Sequence, residues 1–145
     1  MNLDDLVTIS QNAASEPSSK LWLLAGQKVS LRTLIRGAAI RSANDAATAI
    51  GEHISGSEAK FADYMTLTAR AMGMSKTTFK NAHGLTSSNH LSSPKDMAIL
   101  ARRLIFDFPQ YYNLFGRQSV SALGKTLYNT NRRFLATYSG SDGIK

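Results

Sequence analysis

The triplet Ser42-Ala43-Asn44 sets a hydroxyl and a carboxamide two residues apart. A serine hydroxyl can relay a proton, and an asparagine amide both donates and accepts hydrogen bonds. Together they could serve a reacting group if a tight inter-helix turn aimed both into a cleft. The spacing is common by chance, and on spacing alone a plainer part is favoured: Ser42 ends one helix and Asn44 or Asp45 caps the next. Two further stretches, Ser57-Glu58-Ala59-Lys60 and Ser92-Ser93-Pro94-Lys95, match the bare Ser-x-x-Lys pattern of a serine nucleophile with a lysine base. With 17 serines and 8 lysines in the chain, about one such pair arises by chance. Ser57 and the Ser92-Ser93 pair instead read as the caps of two helices. His53, His83 and His90 lack a His-x-x-x-His spacing and an obvious carboxylate partner, so no metal site is expected. Cysteine is absent, which excludes disulfides, thiolate zinc sites and cysteine nucleophiles.

These side chains need helices to hold them. Ser30 is a plausible N-cap, and Leu31, Leu34, Ile35, Ala38 and Ala39 fall on one helical face. A second helical pattern follows Asn44, with Ala46, Ala47, Ile50 and Ile54 inward, so residues 41–45 mark a break between two helices. A third helix fits Ser57 to Met72, with Phe61, Tyr64, Met65, Thr68, Ala69 and Met72 inward and Gly73 as its C-terminal stop. Residues 75–92 carry no period and read as an irregular loop. A fourth helix starts at Ser93, with Pro94 in its first turn and Asp96 three residues after the cap. Its inward stripe is Met97, Leu100, Ala101 and Leu104. Pro109 opens a short aromatic turn. Outside this cluster the texture is β-like: Val7 to Ser10, an apolar run within 20–29 that is strand or turn, Gln118 to Leu123, and Thr126 to Thr130. Residues 11–19 read as a loop, and the chain closes in a Gly-rich turn that could lead into a strand.

Composition suits one folded domain: 145 residues, 43% hydrophobic and 19% charged. No stretch approaches the length of a membrane span, and no signal segment follows Met1. The formal charge of +7 favours anionic partners, yet the basic residues are scattered, with only Arg102-Arg103 and Arg132-Arg133 adjacent. A solvated basic face is expected rather than a nucleic-acid groove.

Five ordered segments resemble one family, the low-molecular-mass D-Ala-D-Ala carboxypeptidases of the S11 serine peptidases. They are residues 34–50 around Ser42-Ala43-Asn44; Ala71-Met72-Gly73-Met74 with Thr78 to Leu85; His90 to Ala98; Pro109-Gln110-Tyr111-Tyr112; and Asp142-Gly143-Ile144-Lys145. The resemblance implies an α+β fold, a partial penicillin-binding, serine β-lactamase-like architecture. It implies one catalytic-domain fragment over 1–145, with a helical cluster at about 30–115 and β-like segments at about 5–29 and 117–145. A free sheet edge would follow. Of the family's three motifs, Ser-x-Asn is matched by Ser42 and Asn44, and Lys-Thr-Gly only by Lys145. The nucleophile's Ser-x-x-Lys is expected upstream of Met1.

In the intact enzyme the resemblance implies acylation of a serine by a peptidoglycan stem peptide ending in D-Ala-D-Ala, then hydrolysis, with β-lactams as substrate mimics. Ser42 would pass a proton toward the leaving amine, and Asn44 would hold the substrate backbone. Lys145 would bind the terminal carboxylate, and His90 would face the cleft. No cofactor, metal or nucleic acid is implied. The place implied is the bacterial cell envelope, with membrane association only through segments outside this chain. The chain alone is expected to be inactive. A competing reading from another class is a non-catalytic binding module for wall peptide or another anionic polymer.

Overall fold

The computed structural model describes residues 2–144. They form two compact units: the chain up to Ile50 together with the stretch from Asn113 onward, and Gly51–Tyr112.

In the first unit, β1 (Leu6–Thr8) pairs antiparallel with β2 (Lys28–Ser30). Val7 faces Val29 across the pair, and both are buried, so one face of the ribbon is apolar. Between the strands lies α1 (Gln11–Ser15). Its polar composition predicts a loop here, and the structure has a short helix instead. The Ser10 hydroxyl accepts the Ala13 N–H at 2.9 Å, and Ala13 is wholly buried, so a side-chain cap and one methyl suffice to hold a single turn. The expected cap at Ser30 is present. Its hydroxyl accepts the Thr33 N–H at 3.3 Å and starts α2 (Leu31–Arg36), which buries Leu31 and Leu34. A π-helical turn, Gly37–Arg41, then leads to α3 (Asn44–Ser55). The core joins Val7, Ile9, Leu23, Val29, Leu31 and Leu34 to the alanine face of α3 at Ala46 and Ala49.

The same unit contains a hairpin of β3 (Ser119–Ala122) and β4 (Lys125–Tyr128). Its two-residue tip, Leu123-Gly124, has φ of 53° and 69°, the doubly left-handed turn that matches strand twist. The Asn129 amide donates to the carbonyls of Phe115 (3.0 Å) and Arg117 (2.9 Å), while its oxygen accepts the Asn131 N–H at 2.8 Å. That buried staple sets the start of α7 (Arg132–Thr137). α7 leaves no sign in the local pattern, because it buries no residue and its first residue follows a cap with no side-chain bond. Ser141 to Ile144 adopt neither helix nor strand.

The second unit holds α4 (Glu58–Ala71), α5 (Pro94–Asp107) and α6 (Pro109–Tyr112). Gly73, at φ 88°, makes the left-handed exit from α4. Among the residues expected to face inward, Tyr64, Thr68, Met97 and Ile54 are exposed. In α4 the buried line runs through Ala62 and Ala69, which leaves Tyr64 and Thr68 on the flank of the helix wheel. The loop 75–92 is irregular, as expected, with one bridge between Thr78 and Leu91.

Asp96 ties that loop to α5. Its buried carboxylate accepts the Lys76 N–H at 2.8 Å and the Thr77 hydroxyl at 2.7 Å. The Thr77 hydroxyl is the largest influence on this carboxyl and holds it below its ordinary value of 3.8, against the opposing effect of burial. A depressed folded-state pKa means the contribution is complete above the unfolded value. It is lost as pH falls below 3.8 through the folded value. Urea unfolding of the wild type should therefore lose midpoint as pH drops below that value, and Asp96→Asn should flatten the decline. Parallel acid limbs in the two proteins would contradict this.

Candidate active site

The turn 37–45 is built to present one side chain and to anchor the next two. The π-helical turn ends at Ser42, whose backbone is left-handed at φ 59°, ψ 42°. The N–H groups of Ser42 and Ala43 both return to the Gly37 carbonyl. Wide helical turns and non-glycine residues in the left-handed region are uncommon, cost of order 1–3 kcal/mol, and concentrate where geometry serves function. Gly37 is required by packing: a Cβ there would sit 2.4 Å from Leu21 Cδ1.

Ser42 is half-buried, and among the described residues its hydroxyl has no hydrogen-bond partner. Asn44 and Asp45 differ. The Asn44 amide donates to the Pro17 carbonyl at 2.9 Å, and its backbone N–H donates to the Ser19 carbonyl at 2.8 Å. The Ser19 hydroxyl closes the loop by donating to the Arg41 carbonyl at 2.9 Å. The Asp45 carboxylate, wholly buried, accepts the N–H groups of Leu21 (2.9 and 3.0 Å) and Leu23 (3.1 Å), and of Ala46 beside it (2.9 Å). Thr48 donates to Glu16 at 2.9 Å. Residues 16–23 thus form a strap along the back of the turn. The plain capping part expected of Asn44 is not what its side chain does: the amide reaches 27 residues back rather than into its own helix.

The site residues read from the sequence divide as follows. Ser42 and Asn44 share this one turn of the first unit. His90 belongs to the second unit, where its Nδ1 accepts the Lys80 N–H at 3.2 Å and its ring meets Phe79 edge-on at 5.7 Å. Lys145 lies outside the described residues. The bare Ser-x-x-Lys matches are committed to structure: Ser57 Oγ accepts the Lys60 N–H at 3.3 Å, Ser92 Oγ is 2.9 Å from Thr77 Oγ1, and Ser93 Oγ accepts the Asp96 N–H at 3.2 Å. His83 does have a carboxylate partner, Glu58, at 3.4 Å, contrary to the reading of its sequence neighbours; 25 residues of separation hid it. Two surface hollows, one lined by Ala71, Met72, Ile99, Arg102 and Arg103 and one lined by Leu21, Trp22 and part of the hairpin, include neither Ser42 nor Asn44. Sequence reasoning missed the strap and Asp45's grip on it. The only local signal was an acidic residue opening an apolar helix.

The family model described as D-alanyl-D-alanine carboxypeptidase, peptidase S11, matches residues 1–145. The chain belongs to that family. The carboxypeptidase DacF of Bacillus subtilis is 38% identical over 150 residues, which take in 100% of this chain and 38% of that protein. Penicillin binding protein 5 of Haemophilus influenzae superposes with a TM-score of 0.90 at 33% identity, over 99% of this chain and 43% of that one. Penicillin-binding protein D2 of Listeria monocytogenes, in its ampicillin-bound form, gives a TM-score of 0.85 at 29% identity, over 99% of this chain and 58% of that one. The α+β penicillin-binding fold expected from the resemblance is therefore the fold of this S11 chain. The chain spans about 38% of the length of the curated relative it matches.

Proposed function

We propose that this S11 chain is one part of a serine D-Ala-D-Ala carboxypeptidase catalytic domain of the bacterial cell envelope. The observation that carries the reading is the Ser42–Asn44 turn: a hydroxyl with no hydrogen-bond partner among the described residues, on a left-handed residue braced from behind by a hydrogen-bonded strap. A proton-relay hydroxyl must be open to its reaction partners while its backbone stays fixed, and this turn supplies both conditions. A serine from the remainder of the polypeptide attacks the carbonyl carbon of the penultimate D-alanine. The C–N bond breaks, and the terminal D-alanine departs as its amine takes a proton through Ser42. Water then hydrolyses the ester and frees the serine. Asn44, with one N–H held by Pro17, offers its second N–H and its oxygen to the substrate backbone. Lys145 supplies positive charge for the terminal carboxylate, and His90 contributes to substrate binding. Stem peptides ending in D-Ala-D-Ala are the substrates, and β-lactams acylate the same serine. Membrane association runs through other segments of the polypeptide.

Fluorescent penicillin tests this. The 145-residue chain should take no covalent label, whereas the polypeptide extended by its flanking coding sequence should be labelled at a serine of Ser-x-x-Lys. A label on the chain alone, at Ser57 or Ser92, would refute the assignment.

A further inference from the structure

The left-handed backbone of Ser42 depends on how the peptide groups beside it are held. The N–H of the Arg41–Ser42 peptide returns to the Gly37 carbonyl at the close of the π-helical turn. The opposite end of the same peptide, the Arg41 carbonyl, accepts the Ser19 hydroxyl at 2.9 Å. A peptide plane held at one end can swing about that bond, and a plane held at both ends cannot. Beyond Ser42, the Ser19 carbonyl accepts the Asn44 N–H at 2.8 Å. Ser19 thus grips the turn on both sides of Ser42, and Ser19, Gly37, Arg41 and Asn44 all belong to the first unit. The other strap contacts meet the turn only after Ser42. Pro17 holds the Asn44 side chain, and the N–H groups of Leu21 and Leu23 meet the Asp45 carboxylate. Serine hydroxyls commonly bond backbone groups within about four residues of their own. This one spans 22 residues to reach a carbonyl at the end of a helical turn, where such groups lack a partner within the helix.

We infer that Ser19 is a positioning residue for the reaction. Resting on the carboxypeptidase reading, Ser19 acts through Ser42 rather than on the substrate. Its hydroxyl locks the Arg41–Ser42 peptide, the locked peptide keeps Ser42 at φ 59°, and that backbone sets where the Ser42 hydroxyl stands. Residues with a Cβ favour the right-handed and extended regions. With the Arg41 carbonyl released, Ser42 is free to relax toward them and to carry its hydroxyl away from the leaving amine. Proton transfer tolerates little of this, since a misplacement of about 1 Å can cost roughly a hundredfold. The loss falls on the chemical step, hence on kcat rather than KM.

The test measures D-alanine release from a peptide ending in D-Ala-D-Ala, by the polypeptide that carries this chain with its flanking sequence. Ser19→Ala should lower kcat about ten- to a hundredfold, with KM and the urea midpoint little changed. Ser19→Thr, which keeps the hydroxyl, should stay within about threefold of the wild type. In a Ser42→Ala background, Ser19→Ala should cost less than about twofold more, because the hydroxyl it positions is already gone. Three results would overturn the inference. One is a kcat for Ser19→Ala within about threefold of the wild type. Another is an equal loss with and without the Ser42 hydroxyl, which would make Ser19 act independently of it. The third is a kcat that falls in step with the urea midpoint in the alanine and threonine variants alike, which would reduce the bond to a stability contact. Penicillin labelling of the wild type is read in parallel. A wild type that neither labels nor releases D-alanine would refute the carboxypeptidase reading and this inference with it, whereas a labelled, active wild type with any of the three results would overturn the inference alone.

Discussion

Asp45→Ala is expected to lower the stability of the first unit by roughly 3–5 kcal/mol, because hydrogen bonds to a charged acceptor contribute about 1.5–3 kcal/mol each and the donors left behind are buried at Leu23 and partly buried at Leu21. Asp45 is wholly buried and holds the N–H groups of Leu21 and Leu23, which lie more than 20 residues away. Removing the carboxylate strands both donors and releases the strap, while the Ala46 N–H at the start of α3 loses a local acceptor. Net stability of a domain is about 5–15 kcal/mol, so the loss is a large share of it. Urea unfolding should show a midpoint lowered by about 2 M for a slope near 2 kcal/mol/M. Amide exchange should accelerate at Leu21 and Leu23 ahead of Val7 and Val29. Asp45→Asn keeps one acceptor oxygen but points an N–H₂ at two N–H donors, so it should fall between the two. A loss under about 1 kcal/mol, with unchanged exchange at Leu21 and Leu23, would show that the strap does not depend on this carboxylate.

What could be read ahead of the structure was whatever depends on near neighbours in the chain. Ser30, Ser57 and Ser93 cap their helices by bonding three residues on, Gly73 ends α4, and the break at 41–45 falls where polar residues interrupt the apolar period. Local pattern also placed the hydroxyl of Ser42 and the amide of Asn44 in one turn. What escaped depends on contacts that the chain makes at a distance. The Asn44 amide to Pro17, Asp45 to Leu21 and Leu23, and Glu58 to His83 each span more than 20 residues, and no periodicity encodes them. α1 and α7 escaped for a different reason. Helices of five and six residues cover too little of a 3.6-residue period to leave a stripe, and only Ala13 is buried between them. Tyr64 and Met97 show the limit of the wheel itself: helical spacing tells which residues share a side, and the width of the covered side is set by what packs there.

The most direct measurement of the central claim is D-alanine release from a peptide ending in D-Ala-D-Ala, by the polypeptide that carries this chain with its flanking sequence. Ser42 suits the test better than Asn44. Its hydroxyl bonds no described residue, whereas the Asn44 amide also holds Pro17, so only at Ser42 does activity separate from folding. Two variants guard against strain at the left-handed position. Ser42→Ala removes the hydroxyl, and Ser42→Gly removes it from a residue type at ease at φ 59°. Both should lose about 10²- to 10⁴-fold in kcat, the range of a proton-relay group, with KM little changed and the urea midpoint held. Turnover within about threefold of wild type in both variants would contradict the claim that this turn serves the reaction.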